Sequence, residues 1–123
     1  MLQSAQPPHI AAFRVDVHPE RELVRVAPAG ELDLATAPKL ELQLHELRDS
    51  GFRSIVLDLR RLTFMDSTGI ALILREDRLA SDRGHAFSLI AGPPAIQRTL
   101  NICGVLHRLP FEGSRAGADA VRR

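Results

Sequence analysis

The sequence predicts a single α/β domain built on a mixed β-sheet of four to five strands flanked by helices. Three observations carry this. Phe13–Val17 and Leu23–Val26 are short apolar-patterned runs broken by His18-Pro19-Glu20-Arg21, so they read as a hairpin. From Ala37 onward, segments with helical spacing alternate with β-rich runs. Strand–helix–strand alternation implies right-handed crossovers and parallel central strands, and the opening hairpin then makes the sheet mixed.

The elements follow in order. Residues 1–12 are polar with a Pro-Pro pair and are expected to form a flexible tail before a domain spanning 13–121. The second strand is expected to end at Pro28 and Gly30. Ala37, Leu40, Leu44 and Leu47 form a helical stripe. Leu40, Leu42 and Leu44 also alternate, but the pattern continues to Leu47 and stops at Ser50-Gly51, and this length decides for a helix. Thr36 is the candidate N-cap, with Pro38 in the first turn, where its missing N–H costs little. Ser54–Leu59 is apolar on both faces at its centre and reads as a buried strand. Arg60-Arg61 leads through an apolar connection to a helix that ends at Gly84. Ala86–Ala91 is a further buried strand. Gly92-Pro93-Pro94 opens a short helix with Ile96, Leu100 and Cys103 on one face and Gly104 as its stop. Leu106–Phe111 is expected as a short edge strand, since Pro110 bars a central place. Ala116–Val121 is expected as a final helical turn or two.

Composition narrows the function classes. Apolar residues are 45% and charged residues 25% of 123, the balance of an ordinary globular domain. Sixteen basic against fifteen acidic residues leave a net charge of +1, so nothing draws the whole molecule to nucleic acid or an anionic membrane. Cys103 is the sole cysteine; no intrachain disulfide can form, and its apolar neighbours predict a small core residue. No apolar run reaches transmembrane length, so no membrane insertion is expected. The N-terminus has neither the basic nor the apolar part of a signal peptide, so a cytoplasmic location is expected. His9, His18, His45, His85 and His107 are scattered, without triad partners or metal-ligand spacing, and read as surface or turn residues. There is no phosphate-cradling glycine loop with a lysine. No metal or cofactor is expected.

One stretch needs a separate explanation. In LTFMDSTGIALIL (62–74), Asp66, Ser67, Thr68 and Gly69 interrupt apolar sequence. Asp, Ser and Thr are all N-cap residues, and one cap is worth about 1 kcal/mol, but a cap needs only one of them. Leu62 and Phe64 on one side and the Ile70–Leu74 helix on the other are expected to anchor the turn in the core. A turn leading into a helix here puts Ser67 at the carboxyl edge of a mostly parallel sheet, where α/β folds carry their sites. Unpaired amides at the helix N-terminus would stand beside a phosphate on its hydroxyl. No Gly-x-Ser-x-Gly elbow surrounds Ser67, which argues against a hydrolytic nucleophile.

The segment FMDSTGIALIL (64–74) resembles the signature of the STAS domain, in the form found in bacterial anti-sigma factor antagonists. GELDLATAPKL (30–40) is similar to that family's Gly-Glu-Leu-Asp-x-x-Thr-Ala segment, and SIVLDLRRL lies between the two in the expected order. The resemblance runs from about Phe13 to Val121. It implies a STAS-like fold and a protein that is not an enzyme. Ser67 aligns with the family's phosphorylated serine, and Asp33 with an acidic loop residue near it. Asp66, Thr68 and Gly69 complete the implied partner-binding turn. The implied partners are an anti-sigma factor with serine kinase activity, which supplies the phosphate from ATP, and a serine phosphatase. Ala71 departs from the family, where several members have a second glycine; alanine is the better helix former. A second reading keeps the fold without the switch: a scaffold subunit of a signalling assembly, or a soluble subunit of a membrane transport system. The intact Asp-Ser-Thr-Gly favours the first, since a scaffold needs no free hydroxyl there. The oligomeric state is left open.

Overall fold

A computed structural model describes residues 12–113. Most of the expected tail and the expected Ala116–Val121 turn lie outside the described residues. The elements are β1 (Arg14–Glu20), β2 (Leu23–Leu32), α1 (Ala37–Asp49), β3 (Ser54–Asp58), β4 (Leu62–Met65), α2 (Ser67–Arg83), β5 (Ala86–Ile90), α3 (Pro94–Ile102) and a 3-10 turn at Leu106–Arg108. The strands form one mixed five-stranded sheet in the order β1-β2-β3-β5, with β4 paired to β2 off that path. β1 and β2 are antiparallel; the other pairings are parallel.

The apolar stripe of α1 buries Ala37, Leu40, Leu44 and Leu47. Leu72 and Ile73 of α2 join them over Val24, Val26, Ile55, Leu57 and Leu89 of the sheet, while Ile96 and Leu100 enter the same core from α3. Each of the leucine, isoleucine and valine side chains contributes about 1.5–3 kcal/mol on burial. α2 ends at Gly84, whose φ of 68° supplies the left-handed cap.

Three expectations are corrected. First, β2 does not stop at Pro28 but continues to Leu32. Its ladder with β3 ends at Val26↔Leu57, and its ladder with β4 begins at Gly30↔Leu62. Pro28 falls in the gap between them, so its missing N–H breaks no sheet bond on that side. Gly30, at φ 111°, takes the register shift where β2 changes partner. Second, the connection Leu62–Met65 is itself a strand. Its burial does not alternate, and its partner lies about thirty residues back in the chain, so no local signal marks it. Third, Leu106–Phe111 is not a strand. Only Phe111 bridges Leu89; Pro110 accepts from the Leu89 amide at 3.0 Å but has no N–H to extend a ladder.

Cys103 is exposed, not core. α3 ends one residue earlier, and Gly104 at φ 76° turns the chain back so that Val105 N donates to Leu100 O at 3.1 Å, leaving Cys103 outside. His18, His45 and His107 are exposed, in line with the surface reading.

Among the described residues, two carboxylates are buried. Asp58, 3% exposed, closes β3 and is saturated by arginines. Its Oδ1 accepts from the Arg60 amide (3.0 Å) and Nε (2.9 Å), and its Oδ2 from Arg60 Nη2 (2.8 Å) and Arg25 Nη1 (3.2 Å). Burial raises the Asp58 pKa, but the hydrogen bonds and charge of Arg60, with help from Arg25, outweigh it and hold the carboxyl below its usual range. Its folded pKa is depressed, so its contribution to stability is present above the ordinary carboxylate pKa and lost as pH falls through the folded value. Asp58→Asn is therefore expected to flatten the acid limb of a pH–stability profile measured by urea unfolding; an unchanged limb would show that the arginines do not act on Asp58. Glu76, 4% exposed, pairs with Arg48 between α2 and α1.

Candidate functional site

β2 and β4 run parallel and end together at the pair Leu32↔Met65, and the Asp66 amide donates to Leu32 O at 3.2 Å. Two loops leave from this point: Asp33–Thr36 into α1, and Asp66 into α2. The parallel pairing thus brings to one edge two segments that lie about thirty residues apart in sequence. Asp33, Asp66, Ser67 and Thr68, singled out from the sequence, all lie here.

Asp66 is the N-cap of α2. Its backbone is extended, and its Oδ1 accepts from Thr68 N at 2.9 Å and Gly69 N at 3.3 Å. This corrects the expectation that those amides stand open for a phosphate on Ser67, because the Asp66 carboxylate already occupies them. Ser67 is the first helical residue and is exposed, while Thr68 is half-buried. Of these two hydroxyl residues, Ser67 is the more exposed.

Asp33 holds its own loop. Its Oδ1 accepts from Ala35 N (3.0 Å) and Thr36 N (3.1 Å), and its carbonyl accepts from Ala37 N at 2.8 Å. Thr36 is the N-cap residue of α1, as expected, but its side chain makes no cap bond to the helix. Its hydroxyl instead donates to Glu31 O at 2.6 Å and accepts from Asp33 N at 2.9 Å, tying the loop to the end of β2. The Gly-Glu-Leu-Asp-x-x-Thr pattern is thus a fastening, in which Asp33 and Thr36 hold the loop rigid and leave Leu34 outside.

Gly69 has a definite structural role. It is buried, and a Cβ there would lie 2.8 Å from Met65 Cγ and 2.9 Å from Leu32 Cγ and Cδ2. Only glycine lets α2 approach the joint end of β2 and β4 this closely. Its part in any partner surface is therefore indirect: it seats the turn that carries Ser67. For Gly69→Ala, helix propensity favours alanine by about 1 kcal/mol, while overpacking costs about 1–3 kcal/mol. The steric cost is expected to win, lowering the midpoint of thermal unfolding by several degrees; a higher midpoint would mean that Leu32 and Met65 yield freely.

Two apolar residues at this edge are not anticipated by pattern. Phe64 was expected to anchor the core, yet it is 48% exposed, and Leu34 is 75% exposed. Neighbouring Leu62 and Met65 are the buried members of β4. The pleat does not find Phe64: strict alternation gives it the face of buried Leu62, and its exposure depends on what covers that face. Among the described residues there is no His, Cys, Asp and Glu cluster that could hold a metal, and no helix is long and apolar enough to cross a membrane.

The chain resembles known proteins throughout its length. The family model for the STAS domain matches residues 14–118. The anti-sigma F factor antagonist of Paenibacillus polymyxa is 27% identical over 107 residues, covering 86% of this chain and 92% of that protein. SpoIIAA, an anti-sigma factor antagonist, has the same fold in its unphosphorylated form, with a TM-score of 0.66, 24% identity and coverage of 90% of this chain and 96% of that one. Its phosphorylated form, from Bacillus, superposes with a TM-score of 0.61 at 24% identity, over 89% and 99%. With the fold, the two-loop edge and the family model in agreement, this chain belongs to the STAS domain family.

Proposed function

We propose that this protein is an anti-sigma factor antagonist. Unphosphorylated, it binds an anti-sigma factor that is also a serine kinase, and so frees the sigma factor. Transfer of the ATP γ-phosphoryl to the Ser67 hydroxyl releases the partner, and a serine phosphatase restores the binding form. The protein is a substrate and a binding module, with no catalytic residue of its own. The observation that carries this reading is the placement of Ser67: an exposed hydroxyl at the first position of α2, on the edge that also presents Leu34, Phe64 and the Asp33 loop. The names of its relatives support the antagonist role.

The test is a pull-down from native lysate with and without ATP, followed by mass spectrometry of Ser67 and Thr68. A kinase-like partner captured without ATP and released with it, with phosphate on Ser67, is the expected result. Phosphate on Thr68 alone would move the acceptor by one residue. Absence of both phosphate and a kinase partner would overturn the switch in favour of the scaffold reading.

A further inference from the structure

Arg48 of α1 and Glu76 of α2 form an ion pair whose side chains are 9% and 5% exposed. Arg48 Nη1 donates to Glu76 Oε1. Arg48 Nε is cut off from solvent and, among the described residues, meets no acceptor. A buried N–H left unbonded is costly, and more so on a charged group.

A small cavity adjoins the pair. Arg48 and Glu76 line it together with Phe52, Ile55, Phe87 and the half-buried His85, and its volume is about 10 Å³. One water needs about 10–15 Å³ and two or more polar partners. A cavity walled only by carbon stays dry, but this wall carries a guanidinium and a carboxylate.

The charges decide what fits. A cation would meet the Arg48 guanidinium, and among the described residues no His, Cys, Asp and Glu cluster could hold a metal. A halide would accept from Nε but would lie beside the Glu76 carboxylate, where like charges in a poorly hydrated site repel strongly. Burial already pushes Glu76 toward its protonated form, so it gains from a further hydrogen-bond donor and loses from a second anion. Water is uncharged. It accepts from Nε–H and donates to a carboxylate lone pair, and so serves both groups at once.

We propose that this cavity is a binding site for a single structural water, which accepts from Arg48 Nε–H and donates to the Glu76 carboxylate. The water completes the hydrogen bonding that the two side chains leave open. α1 follows the Asp33 loop and α2 begins at Ser67, so the hydrated pair joins the two helices that start from the site edge.

Nuclear magnetic resonance of the full chain in water tests this. A cross peak between the Arg48 Nε proton and water is expected in a rotating-frame Overhauser spectrum. Its sign should be opposite to the diagonal, which marks a bound water and not proton exchange. Magnetic relaxation dispersion of the water oxygen counts long-lived waters. Arg48→Met with Glu76→Leu removes both partners and is expected to lower that count by one. Circular dichroism checks that the double variant is folded; if it is not, the spectrum of the parent chain decides alone. A parent chain without the cross peak, or with one of exchange sign, would overturn the proposal, as would an unchanged water count in the folded double variant. Broadening of the chloride resonance that the double variant abolishes would give the cavity to an anion and overturn it too. None of these results bears on the Ser67 switch.

Discussion

Arg48→Met is expected to destabilise the fold by about 3–5 kcal/mol, although Arg48 is far in sequence from every residue of the site. Its guanidinium pairs with Glu76 between α1 and α2, and the two side chains are 9% and 5% exposed. Burial is the larger influence on Glu76 and raises its pKa; the Arg48 charge and hydrogen bond only partly offset it. Removing Arg48 leaves a buried carboxylate with no partner, which costs more than the pair itself contributes. The orphaned Arg48 Nε, with no hydrogen-bond partner in the structure, shows that the pair is already imperfectly satisfied. Replacing both groups should therefore recover most of the loss: Arg48→Met with Glu76→Leu is expected to fall within about 1 kcal/mol of the starting protein. Urea unfolding measures all three. If the double variant is as weak as Arg48→Met, packing around the pair matters more than its charge.

The pH dependence follows from the same shift. A raised folded pKa means that the native state holds the Glu76 proton to higher pH than the unfolded chain does. The contribution of Glu76 to stability therefore decreases as pH rises from its ordinary carboxylate value through its folded one. In Arg48→Met the folded value climbs further, so the destabilisation should be greatest at neutral pH and shrink on acidification to about pH 5. A loss independent of pH would exclude the unpaired charge as its cause.

Phosphorylation of Ser67 is expected to weaken partner binding about a thousandfold while leaving the fold intact. The group adds about −1.5 to −2 charges. A free helix N-terminus would attract it by about 0.3–1 kcal/mol. Asp66, however, already accepts from the Thr68 and Gly69 amides, so that attraction is largely taken up. The Asp66 carboxylate repels the phosphate by about 1 kcal/mol per unit charge in water-like surroundings. The net penalty on folding is thus about 1–2 kcal/mol, small against a typical domain stability of about 5–15 kcal/mol. Across a partly desolvated interface the same charge meets a lower dielectric, and one unfavourable contact costs about 4 kcal/mol. A phosphate on Ser67 would therefore act on the contact and not on the shape. Ser67→Asp should bind the partner poorly and Ser67→Ala should bind without ATP-dependent release, with both showing native circular dichroism. Equal binding by the two variants in a calorimetric titration would overturn the switch.

Much of the candidate site was legible because its signals are local. Asp66 before an apolar helix is a cap in any fold, and Ser67 follows it into the first turn. Thr36 is the N-cap of α1, as its place before the apolar stripe indicates, but its hydroxyl reaches back to Glu31 and closes the loop on Asp33, which no local signal shows. The necessity of Gly69 appears only when Leu32 and Met65 are brought against it from two different strands.

The sequence by itself determined helices α1, α2 and α3, the hairpin, the parallel order of the central strands and the polar turn at 66–69. Each is encoded within one or two turns of its own residues, by apolar period, cap and stop. Tertiary structure alone decided that β2 passes through Pro28 to meet β4, that Phe64 faces solvent and that Cys103 lies outside α3. Each of these depends on which distant segment supplies a hydrogen-bond partner or a packing surface. A proline interrupts a strand only where a neighbour needs its amide, and a phenylalanine is core only where something covers it.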